Sequence, residues 1–408
     1  MNADLVRPIA PAVPRARVLS VYEAFFAGGA RALHTAVVRE LHTSGSHRHS
    51  VLGLYREVHR ESLRQRMTSD SRYQALRDAG IRAVALRRSA ADRSPFTAAE
   101  MVVAARHAAR ADVVLSLKEQ PLRLVNQEGF PARPLVVCLH RSDPEHQGGA
   151  LADLLAAIAA GRVASVVCCA ESTRAAYRAA GVPASLLTVI PNGVDLARYR
   201  PVSTRARGRL RRSLGLPASA RVVVFAARYD GMKNVPLFLA AARDFLARHE
   251  DAHVLMCGAG MSLANTGLCV DLEVAFDDRP DLLRRLHTLG VREDMPDVFA
   301  VADVVALTSS TGEAAPLCLI EGMMCGAVPV TTDVGDSAAI VAGHGLVVEP
   351  DAAVISAAWD EAVARRAEWA PALLRDRPRF SHTRMAAAYA AVIDRVGDVA
   401  PAGARRRR

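Results

Sequence analysis

The stretch EAAPLCLIEGMMCGAVPVTTDVGD, residues 313–336, decides how the chain is read. Two carboxylates, Glu313 and Glu321, are separated by seven residues, and the second lies in a run of helix formers that stops at Gly326 before an apolar segment. The order is loop, helix, strand, the repeating step of an α/β sheet. A helix starting near Ala315 sets its free backbone N–H groups and the positive end of its dipole beside Glu313, where an anion settles. Glu321 lies about two turns further along, on a nearby face. There it can accept paired hydrogen bonds from vicinal hydroxyls such as those of a ribose. A phosphate at the helix mouth and a sugar diol beyond it are parts of a nucleotide sugar. Taken alone, the E-x7-E spacing in a chain with 42 acidic residues is equally a chance pairing of two solvated side chains.

Outward from this stretch, apolar strands alternate with helical segments over most of the 408 residues. That length exceeds one ordinary core and predicts two domains of roughly 150–200 residues each. Short apolar runs fall at 17–26, 50–55, 81–86, 112–117, 135–140, 165–169 and 187–190. A second series follows at 221–226, 253–257, 283–289, 304–308, 328–331 and 345–348. Between the series, ARYRPVSTRARGRLRRSLGLPASA breaks the pattern with prolines and dense charge, which places a linker near Arg200. Two alternating series predict two doubly wound parallel sheets, with ligands at the carboxyl ends of their strands. The last helix, 381–396, has no strand after it and is free to pack back on the first domain.

Composition narrows the class. No apolar run approaches the roughly 20 residues that span a bilayer, and the N-terminal MNADLVRPIAPAVPRAR lacks an apolar signal core, so a cytoplasmic protein is expected. The seven cysteines form no paired C-x-x-C knuckles and read as buried, reduced thiols. The formal charge is +10, yet only Lys118 and Lys233 are lysine and no basic run is interleaved with aromatics, so no nucleic-acid partner is expected. The charge favours anionic substrates or a peripheral contact with an anionic membrane surface. The terminal Arg405–Arg408 run would add to that attraction. Oligomeric state is unknown from the sequence.

In the second series the strand VVVFAAR leads into YDGMKN, which brings Arg228 and Lys233 to one strand end, where a diphosphate would lie. The other reading is two surface charges on a turn. Past Cys257, Gly258 and Gly260 either let a ligand approach the backbone or mark a tight turn. Leu289, Gly290 and Val291 end the next strand, at a place where backbone groups can read a base edge. His140 ends the run VVCLH and is either a ligand-facing or a core histidine. His34, in the first helix, reads as structural or acceptor-facing.

Taken in order, R-x4-K, GxG, E-x7-E with its trailing GAVPVTTDVGD, and the upstream VIPNGVDLARYRP at 189–201 resemble the retaining glycosyltransferases of family 4. The resemblance covers roughly 18–396. It implies the GT-B fold: α/β, two Rossmann-like doubly wound parallel-sheet domains facing a cleft. Residues 1–200 would form the acceptor-side domain and 201–378 the nucleotide-sugar domain. Residues 379–408 would supply a helix packed on the first domain, and a basic tail.

Residue by residue, the resemblance sets Glu313 against the donor sugar, Glu321 on the ribose, and Arg228 with Lys233 on the diphosphate. Gly28 and Gly29 match the glycine loop that approaches the phosphates, and His140 the histidine on the acceptor side of the sugar. It implies a nucleoside-diphosphate sugar as co-substrate, a UDP-sugar first, with a hydroxyl acceptor, no other cofactor and no obligatory metal. The chain has no D-x-D pair to hold one. A nucleotide-sugar epimerase, a sugar phosphorylase or a non-catalytic nucleotide-sugar binder would use the same fold.

The chain departs from the family pattern at Ala314 and Ala315, where a glycine and an aromatic are usual, and at Pro316, which has no N–H. Phosphate contacts are therefore expected at Leu317 and Cys318. Gly322 stands where alanine is usual, which reads as a small change. SGSHRHS replaces the usual glycine-histidine pair before the second strand, and the acceptor identity is left open.

Overall fold

The computed structural model describes residues 16–26, 28–60, 63–87 and 94–398. Most of the N-terminal stretch and the Arg405–Arg408 run lie outside the described residues. The first sheet is built from β1 (Arg17–Ala24), β2 (Arg48–Tyr55), β5 (Arg82–Arg87), β6 (Val113–Leu117), β7 (Leu135–Leu139), β8 (Val163–Cys168) and β9 (Leu187–Val189). A short antiparallel hairpin, β3 (Glu57–Arg60) and β4 (Leu63–Arg66), stands apart from it. The second sheet comprises β10 (Arg221–Ala226), β11 (Ala252–Cys257), β12 (Leu286–Gly290), β13 (Val304–Leu307), β14 (Val328–Thr332) and β15 (Leu346–Val348).

Every pairing in both large sheets is parallel, with orders β5-β2-β1-β6-β7-β8-β9 and β12-β11-β10-β13-β14-β15. Parallel strands are covered on both faces by helices, which is why they read as unbroken apolar runs. All five residues of VVLSL in β6 and of LVVCL in β7 are buried. In each sheet the order reverses direction once. The reversal falls between β1 and β6 in the first sheet and between β10 and β13 in the second. In sheets of this kind the crevice beyond such a pair of strand ends is the binding position.

One core surrounds the second sheet, and separate clusters cover the two faces of the first. The C-terminal helix His382–Asp398 lies in one of the latter. Met385, Tyr389, Val392, Ile393 and Val396 pack with Leu33, Val37 and Leu41 of the helix Gly29–Thr43. The chain that leaves the second sheet therefore returns to the first. Val194 and Ser381 form a parallel bridge at the crossing point. The seven cysteines are all free thiols, five of them buried.

Two expectations change, and one element was not foreseen. The central helix begins at Leu317 rather than near Ala315, because Pro316 occupies its N-cap in extended conformation, with ψ 116°. The run 283–289 divides: Pro280–Arg285 is a 3₁₀ turn and the strand starts at Leu286. The hairpin β3–β4 was not legible, since its charged Glu57, Arg64 and Arg66 hide the alternation.

Gly322 is the place where a small change is not small. It faces β13, and a Cβ built there would lie 2.7 Å from the Val305 Cβ. The helix thus rests directly on the strand. Gly322→Ala is expected to lower unfolding stability by about 1–3 kcal/mol, the usual cost of overpacking, read as a lower urea midpoint. Adding Val305→Ala should recover part of that loss, and an unchanged midpoint in the single variant would remove this account.

Candidate functional site

The loops after β10 and β13 meet at the switch point of the second sheet. After β10, the Asp230 side chain accepts the Met232 N–H at 3.2 Å and sets the 3₁₀ turn Gly231–Lys233. Asn234 follows in the left-handed region at φ 49°, and the helix Val235–Arg248 begins with Pro236 in its first turn. After β13, Thr308 donates its hydroxyl to the Lys233 carbonyl at 3.0 Å. The two loops are tied before any ligand is considered.

Their charged ends pair. The Lys233 ammonium donates to the Glu313 carboxylate, with side chains only 13% and 8% exposed. Ser309 donates to the same carboxylate oxygen at 2.6 Å. Arg228 pairs with Asp230 at 3.0 Å, on the open side of the turn.

The helix Leu317–Met324 points its N-terminus into this arrangement. Burial pushes the Cys318 thiol up to about 12. The nearby Lys233 opposes that shift, while Glu313 and Glu321 add to it. Glu321 is half-buried in its residue surface. Enclosure of the carboxyl group raises it to about 7, against weaker opposing effects of a hydrogen bond from Tyr199 and the charge of Arg198.

Gly258, Gly260 and Gly290 flank the site at the ends of β11 and β12. Gly258 has φ 136°, and a Cβ there would lie 1.9 Å from the Ala227 carbonyl oxygen, so no other residue fits. Its N–H donates to the Gly290 carbonyl at 2.8 Å, and the Gly290 N–H to the Met261 carbonyl at 2.8 Å. The glycines therefore lock the loops of neighbouring strands together.

The first domain closes over the helix mouth. A Cβ on Gly29 would lie 3.1 Å from Leu317 Cδ1, so the glycine loop and the helix start are in contact. Gly28 precedes it as the N-cap of Gly29–Thr43. Ser142 donates its hydroxyl to the Glu313 carbonyl, and Asn192 donates its side-chain N–H to the Ala315 carbonyl at 2.8 Å. In the other direction, the Asp336 carboxylate accepts the N–H groups of Glu171 and Ser172 at 2.8 Å each, which caps the helix Glu171–Ala179. The Arg141 guanidinium, paired with Asp143, lies against Gly312.

His140 follows β7 in this first-domain wall. Burial lowers it to about 3, helped by His34, Lys118 and Arg31, so its ring is neutral near pH 7. Its Nε2 is shut from solvent with no hydrogen-bond partner. His34 is fully buried, 3.3 Å from the Ser20 hydroxyl and edge-on to Tyr22, which makes it a core residue.

Lys233, Glu313, Leu317, Cys318, Glu321 and Gly29 thus gather at one cleft, while Gly258, Gly260 and Gly290 join the strand ends beside the loop after β10. His140 belongs to the opposite wall. Sequence reasoning missed Ser142, Arg141, Asp143 and Ser309, none of which has a local signature. Asn192 and Tyr199 do lie in the quoted VIPNGVDLARYRP, the one signal available for them. Among the described residues, no group of three or more His, Cys, Asp or Glu is placed to hold a metal ion, and no helix is long and apolar enough to cross a membrane.

Two parallel-sheet domains closing on a cleft, with the strand ends of both facing it, define the GT-B architecture. HepE of Anabaena, solved with UDP-glucose, has this fold: TM-score 0.74, 21% identity, 93% of this chain and 100% of that one covered. Residues 27–198 match the profile of Glycosyltransferase Family 4, and residues 220–365 that of Glycosyl transferases group 1. The chain belongs to this glycosyltransferase family.

Among curated relatives, D-inositol 3-phosphate glycosyltransferase of Corynebacterium kroppenstedtii is 33% identical over 175 residues, 40% of this chain and 38% of that protein. UDP-Gal:alpha-D-GlcNAc-diphosphoundecaprenol alpha-1,3-galactosyltransferase of Escherichia coli is 30% identical over 159 residues, 38% of each. The alignments span about two fifths of the length of these relatives.

Proposed function

We propose that the protein is a retaining, metal-independent hexosyltransferase that moves a sugar from a nucleoside-diphosphate sugar to a hydroxyl acceptor. The observation that carries this reading is the convergence of Lys233, Glu313 and the mouth of the helix Leu317–Met324 at the switch point of the second sheet. Breaking the bond between sugar and nucleotide builds negative charge on the departing phosphate. A cation and a helix N-terminus stabilise that charge.

In this reading Lys233 and Arg228 face the diphosphate, the N–H groups of Leu317 and Cys318 supply the helix-end contacts, and Glu321 holds the ribose. Glu313 faces the sugar hydroxyls, Gly28 and Gly29 close over the phosphates, and Gly258, Gly260 and Gly290 back the nucleotide. His140 stands on the acceptor side of the sugar. Residues 1–200 serve the acceptor, 201–378 the donor, and the segment from 379 braces the first domain. The names of the similar proteins favour a UDP-sugar as donor. The setting is the cytoplasm of a bacterium building saccharides, envelope components or secondary metabolites, with the arginine excess allowing peripheral contact with anionic membrane.

The test is calorimetric titration of UDP and UDP-glucose into the protein, followed by product analysis with and without EDTA. UDP should bind in the micromolar range, about −8 kcal/mol, and transfer in EDTA should stay within about twofold of its value without chelator. Loss of transfer on chelation would overturn metal independence, and an epimerised donor formed without acceptor would replace transfer by isomerisation.

A further inference from the structure

Glu313 is held by both domains at once. Its carboxylate is paired inside the second domain, with Lys233 and with the Ser309 hydroxyl. The main chain around it is held by the first. Ser142, in the loop after β7, donates its hydroxyl to the Glu313 carbonyl. Asn192, in the loop after β9, donates its side-chain N–H to the Ala315 carbonyl at 2.8 Å. Between them, at the end of β8, Cys169 and Ala170 form one buried cluster with Ala314, and Ala315 packs against it. β7, β8 and β9 are neighbours in the first sheet, so three adjacent strand ends each touch the stretch Glu313–Ala315.

The second domain meets the same stretch from its own side. The Asp336 N–H donates to the Ala314 carbonyl at 2.7 Å, and Gly335 lies so close that a Cβ there would collide with the Glu313 carbonyl. The Asp336 carboxylate reaches on to the N–H groups of Glu171 and Ser172, directly after Cys169 and Ala170. Three successive carbonyls, of Glu313, Ala314 and Ala315, therefore each have a donor, two from the first domain and one from the second. A planar peptide whose carbonyl is fixed keeps little freedom of its own.

This contact gives a role to the two alanines at which the chain departs from the family pattern. Ala314 is 3% exposed against Cys169 and Ala170 at 3% and 2%. A packed contact of this kind does not admit a larger side chain without displacing its neighbours. Small residues at 314 and 315 let the first domain rest on the loop itself. Just before them, Gly312 lies against the Arg141–Asp143 pair of the same wall.

We propose that Ser142 and Asn192 are positioning residues for the transfer: by holding the main chain of Glu313–Ala315, they set where the Glu313 carboxylate stands against the donor sugar. This rests on the transferase reading above and adds to it a division of labour. Ground-state affinity for the nucleotide stays with the second domain, whose Lys233 loop keeps its own tie to Thr308. Cleavage of the sugar–phosphate bond depends on both domains.

The experiment uses the full chain without added acceptor, so that water takes the sugar and released UDP is counted. The donor is whichever of UDP-glucose, UDP-galactose and UDP-N-acetylglucosamine wild type cleaves fastest, and UDP is titrated separately by calorimetry. Ser142→Ala and Asn192→Asp should each lower kcat for UDP release about ten- to hundredfold, the effect of a reacting group held slightly out of place. UDP affinity should stay within about threefold of wild type. Asn192→Asp keeps the side-chain shape but turns only accepting oxygens toward a carbonyl. Ser142→Thr keeps the hydroxyl and should return kcat to within about threefold of wild type. Ser142 is only half-buried, so its variants report even where Asn192→Asp fails to fold. A role in folding alone would lower the urea midpoint and leave kcat of the folded protein unchanged. Wild-type kcat in the folded variants, UDP affinity falling as far as kcat, or no recovery in Ser142→Thr would each overturn the assignment. Wild-type protein that cleaves none of the three donors would instead defeat the transferase reading, and this inference with it.

Discussion

Lys233→Ala should lower sugar transfer by about 10²–10³-fold, chiefly in kcat, the usual loss when one group stabilising transition-state charge is removed from an enclosed site. Lys233 is the cation buried beside the helix mouth, and Thr308 and Asn234 fix its backbone. Ground-state nucleotide affinity should fall less, because the diphosphate gains charge as the sugar leaves.

The variant also strands the Glu313 carboxylate, which is 8% exposed and then keeps only the Ser309 hydroxyl. Removing one partner of a buried pair costs about 3–5 kcal/mol, so a stability loss accompanies the kinetic one. The double variant Lys233→Ala with Glu313→Gln separates the two. Without a buried charge it should regain most of the urea midpoint and still transfer sugar at the low rate. A folded Lys233→Ala protein that works within about threefold of wild type would remove Lys233 from the chemistry.

Nucleotide binding should depend on pH through Glu321. In the free protein this carboxyl is raised from 4.5 to about 7, because it is enclosed and the Tyr199 hydrogen bond offsets only part of that cost. Ribose hydroxyls donate to a carboxylate, so binding favours the ionised form and lowers the group's affinity for its proton. The sign follows: below pH 7 a proton must leave when UDP binds, and above it none does.

UDP affinity should therefore rise about tenfold per pH unit from about 5.5 to 7 and level off beyond it. The phosphates of UDP titrate as well, so the contribution of Glu321 is the difference between wild type and Glu321→Gln. That variant should lose the Glu321 part of the slope and bind about 10- to 100-fold more weakly at about pH 8. Calorimetry in buffers of different ionisation enthalpy counts the released proton directly. Equal pH profiles for wild type and Glu321→Gln would show that Glu321 does not hold the ribose.

The second domain's part of the cleft was legible because each part is local to a strand end. A strand, a turn and a helix start are short stretches with their own residue preferences. Arg228 with Lys233, Gly258 with Gly260, and Glu313 with Glu321 each occupy such a stretch. The helix start was misplaced by two residues for an equally local reason, the extended backbone of Pro316.

The first-domain wall of the cleft was not legible, because its members come from different strand ends and share no spacing. Ser142 meets the Glu313 carbonyl across 171 positions, and Asn192 meets Ala315 across 123. Glu119 looks like a solvated charge in LKEQP until burial shows that Oε1 has no partner. Gly322 is the converse case. A glycine in place of alanine seems minor on a helix, and only the Val305 side chain 2.7 Å away gives it weight.

By itself, then, the sequence determined the two alternating series, the parallel character of their sheets and the loops at the strand ends of the second, since periodicity and turn chemistry are properties of neighbours along the chain. Tertiary structure alone decided that Lys233 meets Glu313, that Asp336 caps a helix of the other domain, and that Glu119 is buried. Those pairings depend on how two sheets and their crossovers stack, a geometry that no window of sequence contains.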